Sequence, residues 1–179
     1  MADIADPRNW TGRATYLAIA LLILFVQLLP LQTLPPDWAG PDILLTMTVV
    51  WVSRRPDHAP MLMIAGLFFL VDLLLQRPPG LMAALVLILT EFLRARTAGF
   101  RSVAFGLEWG AVAMGILAIT LANRFAMMIV MLPQAPLGLT FSQMVLTILA
   151  YPVVAALAYV TLGIRRATPG EFTTLGGRA

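Results

Sequence analysis

The sequence predicts an all-α integral membrane protein, a six-transmembrane-helix bundle with both termini on the cytoplasmic side (N-in/C-in). Three observations predict it. Of the 179 residues 60% are hydrophobic and 12% charged, where soluble domains run at about one half and about one quarter. The apolar residues recur in blocks along nearly the whole chain, leaving no room for a domain outside the membrane. The arginines gather in the short turns between blocks, and in every second turn, which gives the bundle a direction.

Residues 1–13 are a polar start with Arg8, Trp10 and Arg13, and residues 14–31 form the first span. No small-residue cleavage site follows it, so it reads as an uncleaved anchor. Residues 32–41 are an outer, proline-rich loop with Trp38 at the interface. A second helix over 42–53 rises only ~18 Å against a hydrocarbon core of ~30 Å. It therefore extends upstream, tilts, or sits where its neighbours thin the bilayer. Arg54 and Arg55 end it. Pro56-Asp57 begins a third helix with Asp57 as its cap, and Arg77-Pro78-Pro79-Gly80 stops that helix after residue 76. The fourth covers 81–93 and ends in Arg94, Arg96 and Arg101. The fifth, 102–131, is long enough to tilt strongly and stops at Pro133 and Pro136. The sixth, 139–164, is kinked by Pro152 and ends in Arg165-Arg166. Residues 1–166 make one six-helix domain; residues 167–179 read as a polar, disordered cytoplasmic tail.

Orientation follows from the arginine turns. Ten arginines (Arg8, Arg13, Arg54, Arg55, Arg94, Arg96, Arg101, Arg165, Arg166 and Arg178) fall on one side, against Arg77 alone in an outer loop. That excess marks the inside, with Arg54, Arg55, Arg94, Arg96, Arg101, Arg165 and Arg166 as the topology determinants. It also accounts for a pI near 10.2 without nucleic acid as a partner. There is no cysteine and one histidine, His58, which removes disulfides, thiol nucleophiles and thiolate or histidine metal centres. His58 falls in a turn and reads as solvated. No nucleophile, metal set or phosphate-cradling glycine loop accompanies the carboxylates, so neither an enzyme nor a cofactor is expected.

Charges at membrane depth cost several kcal/mol on insertion scales, so each is a candidate for function. Glu91 and Arg94 are three residues apart at the inner end of the fourth helix, and an i,i+3 ion pair explains both. Glu108, close to Arg101 and Trp109, reads the same way. The outer group, Asp42, Asp72 and Arg124, is an intramembrane polar cluster. Arg124 is expected to face the bundle and pair with Asp72, Asp42 or both, fixing helix register or binding a partner or ligand. Asp42 has a second reading as the cap of the second helix. Asn123 is offset from Arg124 by about 100° of helix, so the two do not aim equally well at one centre. Among outer polar side chains Trp38 and Gln134 are nearly the only loop aromatic and amide. Trp10, Trp38, Trp51 and Trp109 lie near helix ends and read as interface anchors; Met127, Met128, Met131 and Met144 read as packing filler.

With Pro41-Asp42, Trp51, Pro56, Gly66, Asp72-Leu73-Leu74 and Gly80 placed in that order, the stretch from 41 to 80 resembles the MreD family of rod-shape-determining membrane proteins. Two departures are that Gln76-Arg77-Pro78-Pro79 replaces a glycine-rich turn, and that the basic turn precedes Pro56. The resemblance implies a non-enzymatic scaffold in the bacterial inner membrane, multi-pass, serving cell elongation and lateral peptidoglycan synthesis. Its implied partners are MreC, the MreB filament, and RodA with its class B penicillin-binding transpeptidase. Membrane lipid surrounds it, and a second copy of the chain is a further candidate partner; the small residues Ala65, Gly66 and Gly115 are expected as packing and partner surfaces. The family is also similar in fold to the substrate-capture subunits of energy-coupling-factor transporters. That likeness supplies a second reading, a subunit that captures a vitamin-like small molecule in an outward-opening pocket.

Overall fold

The structure, a computed structural model, describes the backbone of residues 7–29, 38–100 and 105–162, with side chains for all of these but 7–9, 97–100 and 162. The described residues form six α-helices: α1 (Pro7–Leu28), α2 (Ile43–Arg54), α3 (Met61–Leu74), α4 (Leu81–Phe100), α5 (Phe105–Ile129) and α6 (Leu137–Leu162). A one-turn 3-10 helix, Pro56–His58, lies between α2 and α3. Three helices are long and apolar enough to cross a membrane, over Trp10–Leu28, Phe105–Ile129 and Leu137–Thr161, while α2 and α3 are apolar but shorter. Leu22, Ile88, Met114, Phe125, Phe141, Val153 and Val160 all project outward and are exposed. An apolar exterior of that extent suits lipid rather than water.

The shortest of the helices lies at the centre. Every residue of α2 from Leu44 to Val52 is buried, and the helix packs against α1, α4, α6 and the 3-10 turn. A helix apolar on all sides belongs inside, and one enclosed by longer neighbours need not match the bilayer thickness. Trp51 goes inside with it. It is 2% exposed, and its ring centroid is 5.7 Å from that of Tyr16. Trp51 is therefore a core residue rather than an interface anchor; Trp10 and Trp38 are the exposed ones. Tyr16 crosses from α1 to α2, its hydroxyl 3.1 Å from Thr48 Oγ1.

Several boundaries move. Helix α1 begins at Pro7, whose missing N–H is harmless in a first turn, and α4 continues through Arg94 and Arg96 to Phe100, since arginine and alanine are good helix formers. Asp57 does not cap α3. It belongs to the separate 3-10 turn, and α3 starts behind Pro60, whose carbonyl accepts from Met63 N and Ile64 N at 3.0 and 3.1 Å.

Two close seams join α5 to its neighbours. Gly115 lets the Leu89 side chain of α4 lie directly on the α5 backbone, in space a Cβ would occupy, so this glycine serves a contact within the bundle. On the other flank, Pro152 sits inside α6 and cannot donate to the carbonyl of Ile148. The Trp109 indole N–H donates to that carbonyl instead, at 3.0 Å. Trp109 thus locks α5 to α6. One residue earlier, the buried Glu108 accepts from the Tyr151 hydroxyl at 2.5 Å.

Candidate functional site

Asp42 takes the capping role. Its Oδ1 accepts from Leu45 N at 2.9 Å, satisfying one of the amides that open α2. Its own N–H donates to Thr147 Oγ1 at 2.9 Å, while that hydroxyl donates to Gln143 O at 2.6 Å. The start of α2 is thereby tied to the middle of α6. Asp72 does for α4 what Asp42 does for α2, but from a neighbouring helix. Its side chain is fully buried on α3, and Oδ2 accepts from Ala83 N, the third residue of α4, at 3.2 Å. A carboxylate there also meets the positive end of the α4 dipole. Asp72 Oδ1 has no hydrogen-bond partner among the described residues.

Arg124 does not pair with Asp72 or Asp42. Its Nη1 donates to Ala135 O at 3.1 Å and to Thr140 Oγ1 at 2.9 Å, and Gln134 Nε2 donates back to the Arg124 carbonyl at 3.2 Å. The reason lies in what each group meets first. Both acids stand where a helix presents unpaired N–H groups, and the α5–α6 loop folds back to put the Ala135 carbonyl beside the guanidinium. Asp42, Asp72 and Arg124 therefore make no ion-paired cluster, and the pair between Arg94 and Glu91 is the ion pair among the described residues.

What the loop and the helices do enclose is a cleft of about 330 Å³. Asp42 and Arg124 line it; Asp72 does not. Gln76 and Arg77 come from the α3–α4 turn, Asn123 and Met127 from α5, Gln134 from the α5–α6 loop, Thr140 and Gln143 from α6. Four amides converge, where loop residues alone pointed to Gln134. Asn123 and Arg124 both reach it because the cleft wraps around α5, and Met127 is part of its wall, with Asn123 Nδ2 3.8 Å from Met127 Sδ. The missed signal was spacing: Thr140, Gln143 and Thr147 are polar residues at helical intervals in an apolar block, so they share one face. Gln76 adopts φ 53°, a left-handed conformation that a glycine takes more easily. The Arg77 N–H to Asp72 carbonyl bond at 2.9 Å holds that turn.

The opposite end of the bundle is closed. Arg94 uses all three guanidinium nitrogens: Nε donates to Glu91 Oε1 at 3.1 Å, Nη1 to Pro56 O at 3.0 Å and Nη2 to Ala59 O at 2.8 Å. The Glu91–Arg94 pair thus also bolts α4 to the turn that follows α2. Arg13 Nε donates to Asp57 O at 3.1 Å, bringing in α1. His58 is half-buried against the α1 backbone at Gly12, which has no room for a Cβ. It is not the solvated side chain that its place in a turn suggests. Burial, then the charge of Arg55, with Arg13 adding and Asp57 opposing, holds its pKa below the ordinary value. Arg54 and Arg55 sit at this end, and Arg96 lies over the Phe92 ring at 4.4 Å. Arg101, Arg165, Arg166, Arg178, the Arg8 side chain and the tail 167–179 lie outside the described residues. Among the described residues no three His, Asp or Glu side chains stand together as a metal site would require.

No protein-family model matches the chain, and no curated protein or solved structure matches it.

Proposed function

We propose that the chain is a non-enzymatic, six-span scaffold of the bacterial inner membrane, similar to MreD, that holds together a cell-elongation complex. In this reading both termini face the cytoplasm, near an MreB filament. MreC, RodA and the class B transpeptidase dock on the bundle, and lateral peptidoglycan synthesis is the process served. The observation that carries it is how the two acids of the 41–80 stretch are used. Asp42 accepts from Leu45 N and Asp72 from Ala83 N, so both serve to seat helices α2 and α4 and neither is presented to a reacting group. A pair of acids that build architecture suits a protein that works by being a shaped surface. The apolar exterior supplies the area for partner helices.

The test is purification of tagged protein from its native host in mild detergent, with mass spectrometry of what stays bound. Recovery of MreC or RodA at near-equal amounts is the expected result. Recovery of ABC-type ATPases and no wall enzymes would overturn it. That outcome belongs to a second reading, a capture subunit for a vitamin-like molecule in an energy-coupling-factor transporter. The cleft with its four amides is the specific observation on its side.

A further inference from the structure

Several polar side chains that line the cleft have donors without a hydrogen-bond partner among the described residues. Arg124 engages only Nη1, and its Nε and Nη2 have no hydrogen-bond partner among the described residues. Arg77 and Gln143, which also line the cleft, use their backbones in hydrogen bonds and leave their side chains without partners there. The same holds for Gln76, which donates through its N–H to Leu73 O at 3.3 Å. The one carboxylate in the lining, Asp42, is turned to Leu45 N, and the opening amides of α2 offset its charge. Two guanidinium groups therefore face a space of about 330 Å³ with a single, already engaged acid among them. Leaving unmatched cations and amide donors at the mouth of an apolar bundle is unfavourable unless water or a ligand meets them.

We infer that this cleft is a binding site for a phosphate ester, held between Arg77 and Arg124. Planar guanidinium groups match phosphate oxygens in bidentate fashion, and a phosphate has enough oxygens to take two arginines and an amide at once. Gln76, from the α3–α4 turn, and Gln143, from α6, supply that amide. Leu81, Met82, Ile119 and Met127 complete the lining with apolar surface, so the group esterified to the phosphate meets apolar side chains. The phosphate can belong to a lipid headgroup or to a soluble ester; the site asks for the same chemistry from either. The inference stands whether the protein is a scaffold or a capture subunit.

The experiment uses full-length protein in dodecyl maltoside micelles, which carry no phosphate, and follows the thermal midpoint. One arm adds glycerol 3-phosphate at matched ionic strength; the other adds phosphatidylglycerol to the micelles. Stabilisation in the first arm identifies a soluble ester, and stabilisation in the second alone identifies a lipid headgroup. In whichever arm responds, Arg77→Gln and Arg124→Gln should each weaken half-saturation about tenfold, the loss of one charge-assisted hydrogen bond. Arg54→Gln, at the opposite end, should leave the response intact. Arg77→Gln removes no hydrogen bond within the described fold, so it remains informative if Arg124→Gln fails to fold. No stabilisation in either arm, or an unchanged response in Arg77→Gln, overturns the site. An equal loss in Arg54→Gln also overturns it, because general membrane charge would then explain the effect. Recovery of wall enzymes or of ATPases from the host is read separately and does not bear on these outcomes.

Discussion

Arg94 and Arg124 lie at opposite ends of the same bundle and are held in contrasting ways. Arg94 has every guanidinium nitrogen engaged, two of them on the carbonyls of Pro56 and Ala59 beside the 3-10 turn. Arg124 has one nitrogen engaged, on the α5–α6 loop and Thr140. The difference comes from what surrounds them. At the Arg94 end α4 packs against the turn after α2, so two carbonyls of that turn and the Glu91 carboxylate converge on one fork. At the Arg124 end the Ala135 carbonyl and the Thr140 hydroxyl take Nη1 alone, and the remaining donors are left to the cleft. An arginine therefore closes one end and leaves the other able to bind.

That contrast can be broken most directly by truncation. Arg94→Ala should cost about 3 kcal/mol of stability, since it removes three charge-assisted hydrogen bonds, to Glu91 and to the Pro56 and Ala59 carbonyls, and Arg94→Lys should recover less than half because an ammonium cannot copy the fork. Arg124→Ala should cost about 1 kcal/mol by the same measure, denaturation in detergent. Equal losses would remove the distinction between a closed and an open end.

A second prediction sharpens the seam that joins the two ends along α5 and α6. Trp109→Phe should cost about 1.5 kcal/mol by leaving the Ile148 carbonyl unpaired. In the Trp109→Phe background, Pro152→Ala should restore most of it, because alanine returns the missing helical donor. If the proline replacement gives no recovery, the indole is not substituting for the proline's absent N–H.

A third concerns the acids. Asp72→Ala and Arg124→Ala should be additive to within about 0.5 kcal/mol, as expected of groups that share no partner. A coupling above about 1 kcal/mol would reinstate the ion pair that sequence reasoning expected between them.

The smallest effect is a pH dependence confined to the Arg94 end. The native pKa of His58 lies below its ordinary value of 6.5, so the unfolded chain takes up the proton more readily. The stability that follows is fully present above pH 6.5 and declines as the pH falls below it. The thermal midpoint in detergent should therefore dip on acidification in the wild type and dip less in His58→Gln. A binding response at the cleft should not follow the same titration.

Much of this architecture is legible in the residues alone. Apolar blocks between arginine turns specify helices and their approximate limits, because the period and the breakers are local. Asp42 as the cap of α2 and Glu91 with Arg94 at i,i+3 are equally local, and both are present. The errors share one cause. Trp51, Trp109 and His58 were placed by their distance from a helix end, yet each is decided by a neighbour distant in sequence: Tyr16, Ile148 and Gly12. Asp72 and Arg124 were paired because opposite charges in an apolar chain invite it. Sequence cannot weigh that against the amide of Ala83 or the carbonyl of Ala135.

By itself the sequence determined the helical class, the membrane-like exterior and the capping role of Asp42. These follow from hydrophobic periodicity and from chemistry within one or two turns of helix. The tertiary structure alone decided that α2 is enclosed and that Asp72 seats α4. It also decided that Trp109 answers for Pro152 and that four amides and two arginines meet at one cleft. Those outcomes depend on which unpaired backbone groups and side chains packing brings within about 3 Å of one another, and that selection is made between helices, not along them.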